Sequence, residues 1–149
     1  MTPEGIEWDV EWIKSVIPHR NPLLLVDRVL EIESGRRIVA IKNVTADEEI
    51  FNGHFPGHPV LPGVFLVEGM AQTGGILLLH DDPDHQNKLL YFMSVDRARF
   101  RRPVVPGDQV RYEVEILRRR ANHCKLSGKA IVDGEVAAEA VCTSAMIPR

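Results

Sequence analysis

From Val60 to Leu79 the chain runs through 20 mostly apolar residues, interrupted by Pro62, four glycines, Glu68 and Gln72. No other feature restricts the fold as much. Proline is favoured where a helix begins, because its missing N–H would have no intrahelical partner there. The stretch from about 62 to 80 therefore reads as one long helix. Its length alone would suit a membrane span, but a carboxylate at mid-bilayer is expensive. The expectation is no membrane insertion and a helix buried inside the protein. A helix that is apolar around most of its circumference must be covered on most sides.

The rest of the chain supplies the cover. "LLYFMSV", "RARFRRPV", "QVRYEVEIL", "HCKLSGKAIV" and "EVAAEAVCTSAMI" all read as β. Val110, Tyr112, Val114 and Ile116 alternate with Arg111, Glu113 and Glu115, the pattern of a half-buried strand. Asp133-Gly134 between two such runs signals a tight hairpin. Upstream, "LLLVDRVLEIES", then Gly35, then "RRIVAIKNVT" read as two strands around a turn. Trp8, Trp12, Ile13 and Val16 mark a short helix over about 6–17, stopped by Pro18. About six strands and one long helix make an α+β domain, with an antiparallel sheet curling around the helix. Gly69, Gly74 and Gly75 would let neighbouring backbone approach that helix, at a cost in helix propensity. No repeat or linker divides the 149 residues, so one domain over 1–149 is expected.

Composition excludes several classes of function. A net charge of −3 gives no global support for nucleic-acid binding. Cys124 and Cys142 form neither a CxxC pair nor a disulfide framework. "MTPEGIEWDVEW" has no apolar core of the signal-peptide kind, so a cytoplasmic protein is expected.

The chemistry lies in "GHFPGHPVLPGVFLVEGM", residues 53–70. Glu68 and Gln72, four apart, share one helix face among valines, leucines and methionine. Two readings of Glu68 stand: a face reaching solvent or a subunit boundary, or a desolvated carboxyl kept protonated and used as a general acid. His54 and His58 are also four apart, but Pro56, Gly57, Pro59 and Pro62 forbid a regular helix, so the spacing indicates no metal pair. The prolines hold His54 in few conformations, either for chemistry or merely to cap backbone groups. Gly63 falls in the helix's first turn, where N–H groups lack intrahelical partners and the dipole is positive. It serves either as a chain entry or as a donor to a carbonyl oxygen. Base, donor and acid together are what removal of water from a β-hydroxy carbonyl compound needs.

The block "GHFPGHPVLPGVFLVEGMAQTGG", with "IPHRNPLLLVDRV" before it and "VDRARFRRPVVPGD" after it, resembles the β-hydroxyacyl-acyl-carrier-protein dehydratases of dissociated fatty acid synthesis. The resemblance runs from about Ile17 to Asp108 and more loosely to the C-terminus. It implies a hot-dog fold, with His54 as base, Glu68 as acid and Gly63 as carbonyl donor. It implies no cofactor beyond the phosphopantetheine of the acyl carrier protein. It also implies a homodimer whose sites take His from one protomer and Glu from the other, with dimers assembling into hexamers. The sister branch, which also isomerises the double bond, uses Asp as its acid, so Glu68 points to the dehydratase-only branch. Asn21 stands where the family has an aromatic residue, and Leu23 where Phe is common; both bear on the shape of the acyl tunnel. Two other readings share the fold: an acyl thioesterase, whose acid or base is not expected in the "HFPGHP" context, and a non-catalytic acyl-binding protein, against which the intact His54/Glu68 pair argues. Arg97, Arg99 and Arg101 alternate in "DRARFRR", so a regular strand puts them on one face with Arg102 alongside. That pattern suits a solvated strand face, or a docking patch for the acidic carrier that the resemblance supplies.

Overall fold

A computed structural model describes residues 8–149. The start of the first helix expected at Ile6 lies outside the described residues. Within them the helix is α1, Val10–Val16. Asp9 caps it, its carboxylate accepting the Trp12 N–H at 2.9 Å. The expected long helix is α2, Gly63–Leu79, with Pro62 at the N-cap. The expected six strands are present: β1 Arg28–Glu33, β2 Arg37–Asn43, β3 Lys88–Phe100, β4 Gln109–Arg120, β5 His123–Val132 and β6 Glu135–Pro148. They form one sheet in the order β1-β2-β4-β5-β6-β3, antiparallel at every pairing. Asp133 and Gly134 turn β5 into β6 with φ of 50° and 78°, the left-handed pair that a two-residue hairpin needs.

The sheet packs around α2, which touches β2, β3, β4, β5 and β6. Alternation along β4 and β5 sends Val110, Tyr112, Val114, Cys124, Leu126 and Ala130 inward. They meet Leu66, Met70, Ile76 and Leu77 of the helix. The glycines of α2 are filled differently from the expectation of close backbone. A side chain at Gly69 would overlap the Tyr112 phenol, and one at Gly75 would sit 2.8 Å from Leu90 Cδ1. Bulky sheet side chains, and not main chain, occupy the space that the glycines leave.

The segment before β1 is also corrected. Leu23–Asp27 is not strand. The Leu25 N–H donates to Gln72 Oε1 at 2.9 Å, Gln72 Nε2 donates to the Leu23 carbonyl at 2.6 Å, and the Tyr112 hydroxyl donates to the Leu25 carbonyl at 3.1 Å. Side chains of α2 and β4 have replaced a neighbouring strand as partners. Buried backbone groups need partners, of whatever kind.

Candidate active site

His54 sits in a loop whose hydrogen bonds turn the chain back on itself. After the 3₁₀ turn Glu49–Asn52, the His54 N–H donates to the Ile50 carbonyl at 3.1 Å. Phe55 and His58 exchange backbone bonds at 2.9 and 2.8 Å, and the Val60 N–H returns to the His54 carbonyl at 3.0 Å. The imidazole stacks on Phe55, ring centroids 4.0 Å apart. Its Nδ1 lies 2.7 Å from the Val60 carbonyl oxygen. A carbonyl oxygen only accepts, so Nδ1 carries the hydrogen and Nε2 is left with a free lone pair. Capping the backbone and presenting a base were alternatives in the sequence; the ring does cap a backbone carbonyl, and the same bond leaves its second nitrogen unprotonated.

Gly63 opens α2 in the same cleft as His54, beside Leu61, Phe100 and Val104. A Cβ here would stand 2.7 Å from Phe100 Cδ1, so any other residue would have to displace that exposed ring. Its N–H, first in the helix, points along the positive end of the dipole without an intrahelical acceptor.

Glu68 faces a different cleft, lined by Pro18, His19, Gly75, Leu90, Phe92 and Ser144. The two clefts share no lining residue. The sequence left open a face reaching solvent or a subunit boundary and a desolvated carboxyl; in the single chain 32% of the Glu68 side chain is exposed. Gln72 Nε2 donates to Glu68 Oε1 at 3.1 Å, and His19 Nε2 lies 3.6 Å from the same oxygen. Burial holds the His19 ring below the usual imidazole range; the Glu68 charge opposes this and the Arg20 charge adds to it. His19 is the residue that sequence reasoning passed over. Its only signal was its place after Pro18 in the quoted "IPHRNP", and the contact with Glu68, 49 residues on, is purely tertiary.

The arginines do not form the single face expected. A bulge between Asp96 and Arg99 breaks the alternation, with Arg97 at φ 52°. The strand ends at Phe100, before Arg101. Arg101 pairs with Glu139 at 2.9 Å and Arg102 with Glu135 at 3.3 Å, both at the rim of the His54–Gly63 cleft. Arg99 is opposite Glu139 in register. Asn21 and Leu23 line a third cleft with Ile50 and Phe65, whose lining includes neither His54 nor Glu68. Among the described residues no group of three His, Cys, Asp or Glu could hold a metal ion, and no helix is long and apolar enough to cross a membrane.

The chain is similar to known proteins along most of its length. The family model of the FabA-like domain matches residues 17–141. A protein of Koribacter versatilis is 52% identical over 141 residues, 95% of this chain and 90% of its own. One of Campylobacter fetus is 53% identical over 89% of this chain and 93% of its own, and one of Solibacter usitatus 55% over 89% and 81%. Each of the three bears the name 3-hydroxyacyl-[acyl-carrier-protein] dehydratase FabZ. Among solved structures, one titled the dehydratase heterocomplex ApeI:P of Xenorhabdus doucetiae superposes with a TM-score of 0.78 at 17% identity, over 91% of this chain and 90% of that one. The TT0310 protein of Thermus thermophilus gives 0.63 at 19%, over 85% and 98%. At such identities these two structures speak for the hot-dog fold alone. The chain belongs to the FabA-like domain family, among its 3-hydroxyacyl-acyl-carrier-protein dehydratases of the FabZ kind.

Proposed function

We propose that this chain removes water from (3R)-3-hydroxyacyl thioesters carried by acyl carrier protein, giving the trans-2-enoyl thioester in type II fatty acid synthesis, at sites built from two copies of the chain. The observation that carries the reading is the bond between His54 Nδ1 and the Val60 carbonyl, which leaves Nε2 as a fixed base. His54 Nε2 takes the proton α to the thioester carbonyl. The Gly63 N–H holds the carbonyl oxygen as negative charge gathers there. Glu68 protonates the departing hydroxyl, the C–O bond breaks, and water leaves. Electrons and protons balance without a redox partner, so the reaction calls on no cofactor besides the carrier's own arm.

The separation of His54 and Glu68 into two clefts supports a shared site. So does β3, a sheet edge on which Tyr91, Phe92, Met93 and Val95 are exposed. A long apolar edge invites a second strand; a second β3 across a two-fold axis would cover it and bring each Glu68 cleft toward the partner's His54. In this proposal the hexamer is three such dimers, and the enzyme works in the cytoplasm on a soluble carrier. Arg101 and Arg102 form the rim at which the carrier docks, with Arg97 and Arg99 beside it in β3 and its net charge reduced by Glu135 and Glu139.

The test follows enoyl-thioester absorbance with carrier-bound and pantetheine-bound crotonyl and longer substrates. Reversible hydration is expected; release of free thiol without hydration would mean a thioesterase, and no reaction a binding protein. In the same assay Arg99→Glu with Arg102→Glu should raise KM for carrier-bound substrate by about tenfold, more at low salt, and leave the pantetheine substrate unchanged. Equal losses on both substrates would exclude docking as the role of these arginines.

A further inference from the structure

A carboxylic acid has two oxygens, and the neighbours of one decide which carries the proton. Both polar neighbours of Glu68 converge on Oε1: Gln72 Nε2 at 3.1 Å and His19 Nε2 at 3.6 Å. The second distance is longer than a formed hydrogen bond, but active-site contacts of this kind often tighten when substrate binds.

Each neighbour is held in place. Gln72 is 2% exposed, its Oε1 accepting the Leu25 N–H and its Nε2 donating also to the Leu23 carbonyl. Flipping the amide would set oxygen against oxygen and N–H against N–H, so its orientation is forced. His19 follows Pro18, and the Arg20 guanidinium clamps its segment by donating to the carbonyls of Lys14, Ile17 and His19 at 3.0, 3.0 and 2.6 Å. His19 Nδ1 is buried with no hydrogen-bond partner. A hydrogen on Nδ1 would be a buried orphan donor, and would turn the Nε2 lone pair toward an oxygen that already accepts from Gln72. A hydrogen on Nε2 points instead at Glu68 Oε1.

We propose that His19 and Gln72 are positioning residues: two neutral donors that keep Glu68 Oε1 an acceptor, so that the transferable proton rides on Oε2 and leaves from there to the substrate hydroxyl. The proposal rests on the dehydratase reading above. It requires a neutral His19, because a cation at that place would favour the carboxylate over the acid. Burial of the ring acts in that direction. Among the described residues of one chain, Tyr112 of β4 and Cys142 of β6 also feel the Glu68 charge, and burial pushes both upward, the thiol to about 11. Both are therefore uncharged at neutral pH.

The test is kcat and KM against pH for the full-length wild type, His19→Gln, His19→Phe and His19→Lys, with Glu68→Gln in the same assay. His19→Gln keeps a neutral donor and should retain kcat within about threefold. His19→Phe should lose about tenfold in kcat with KM little changed. His19→Lys should lose more, and the upper limb of its kcat profile should move about one unit or more to lower pH, because the acid gives up its proton sooner. Gln72→Met should lower kcat as His19→Phe does; should it fail to fold, the His19 series decides alone. Phe and Lys variants with equal losses and unshifted profiles, or a His19→Phe variant with normal kcat, would overturn the proposal while an active wild type left the dehydratase reading intact. A wild type that does not dehydrate would take both down.

Discussion

His54→Ala and Glu68→Gln should each leave a folded protein whose turnover falls by about 10²–10⁴-fold, the usual weight of one positioned proton transfer. Both substitutions are gentle on the fold. His54 is only half-buried, on a loop, and its removal breaks one bond to a backbone carbonyl, worth about 1 kcal/mol. Glu68→Gln keeps the shape of a side chain that is 32% exposed, and keeps an oxygen to accept from Gln72. The loss should therefore appear in kcat with the melting temperature nearly unchanged. Circular dichroism and enoyl-thioester kinetics on the same samples check it. Near-normal turnover in either folded variant would remove that residue from the mechanism.

The second large effect is on stability. Gly69→Ala places a Cβ where the Tyr112 phenol lies, and Tyr112 is 0% exposed, so the ring can move only by displacing the core around it. Moving it also strands the buried Leu25 carbonyl that its hydroxyl satisfies. Alanine improves helix propensity by about 1 kcal/mol. Against that, overpacking costs about 1–3 kcal/mol and the unpaired carbonyl a similar amount. The net expectation is about 1–5 kcal/mol of destabilisation, or a melting temperature lower by about 3–15 °C for a chain of this size. Gly53→Ala is the control: nothing lies within 4 Å of a Cβ there, and its melting temperature should stay within about 2 °C. Calorimetry at matched protein concentration makes the comparison, since association would move both values. A Gly69→Ala protein as stable as wild type would mean that propensity outweighs packing around α2.

The features legible in the sequence were those whose cause is local. Pro62 and the apolar run mark α2, strict alternation marks β4, and Asp133-Gly134 marks its hairpin. The block around His54 and Glu68 pointed to the family. What was not legible depends on partners distant along the chain. Leu23–Asp27 has the composition of a strand, but Gln72 and Tyr112 bind its backbone, and no local pattern announces them. One extra residue in β3 between Asp96 and Arg99 undoes the face that Arg97, Arg99 and Arg101 would have shared. His19 gains its meaning only where the segment after α1 crosses α2. The opening of His54 and Glu68 into separate clefts is likewise a consequence of how α2 lies in the sheet, since fourteen residues of sequence separate the two.

That separation carries the central claim, that each reacting constellation is assembled from two chains. Mixing His54→Ala protein with Glu68→Gln protein under conditions of subunit exchange tests it most directly. A mixed dimer holds one intact site and one doubly altered site, and random exchange of equal amounts makes half the dimers mixed. Turnover should then rise from near the baseline of each variant alone to about a quarter of the wild-type value. No recovery, with exchange verified by differently labelled subunits, would mean that His54 and Glu68 act within one chain, and the shared-site account would be wrong.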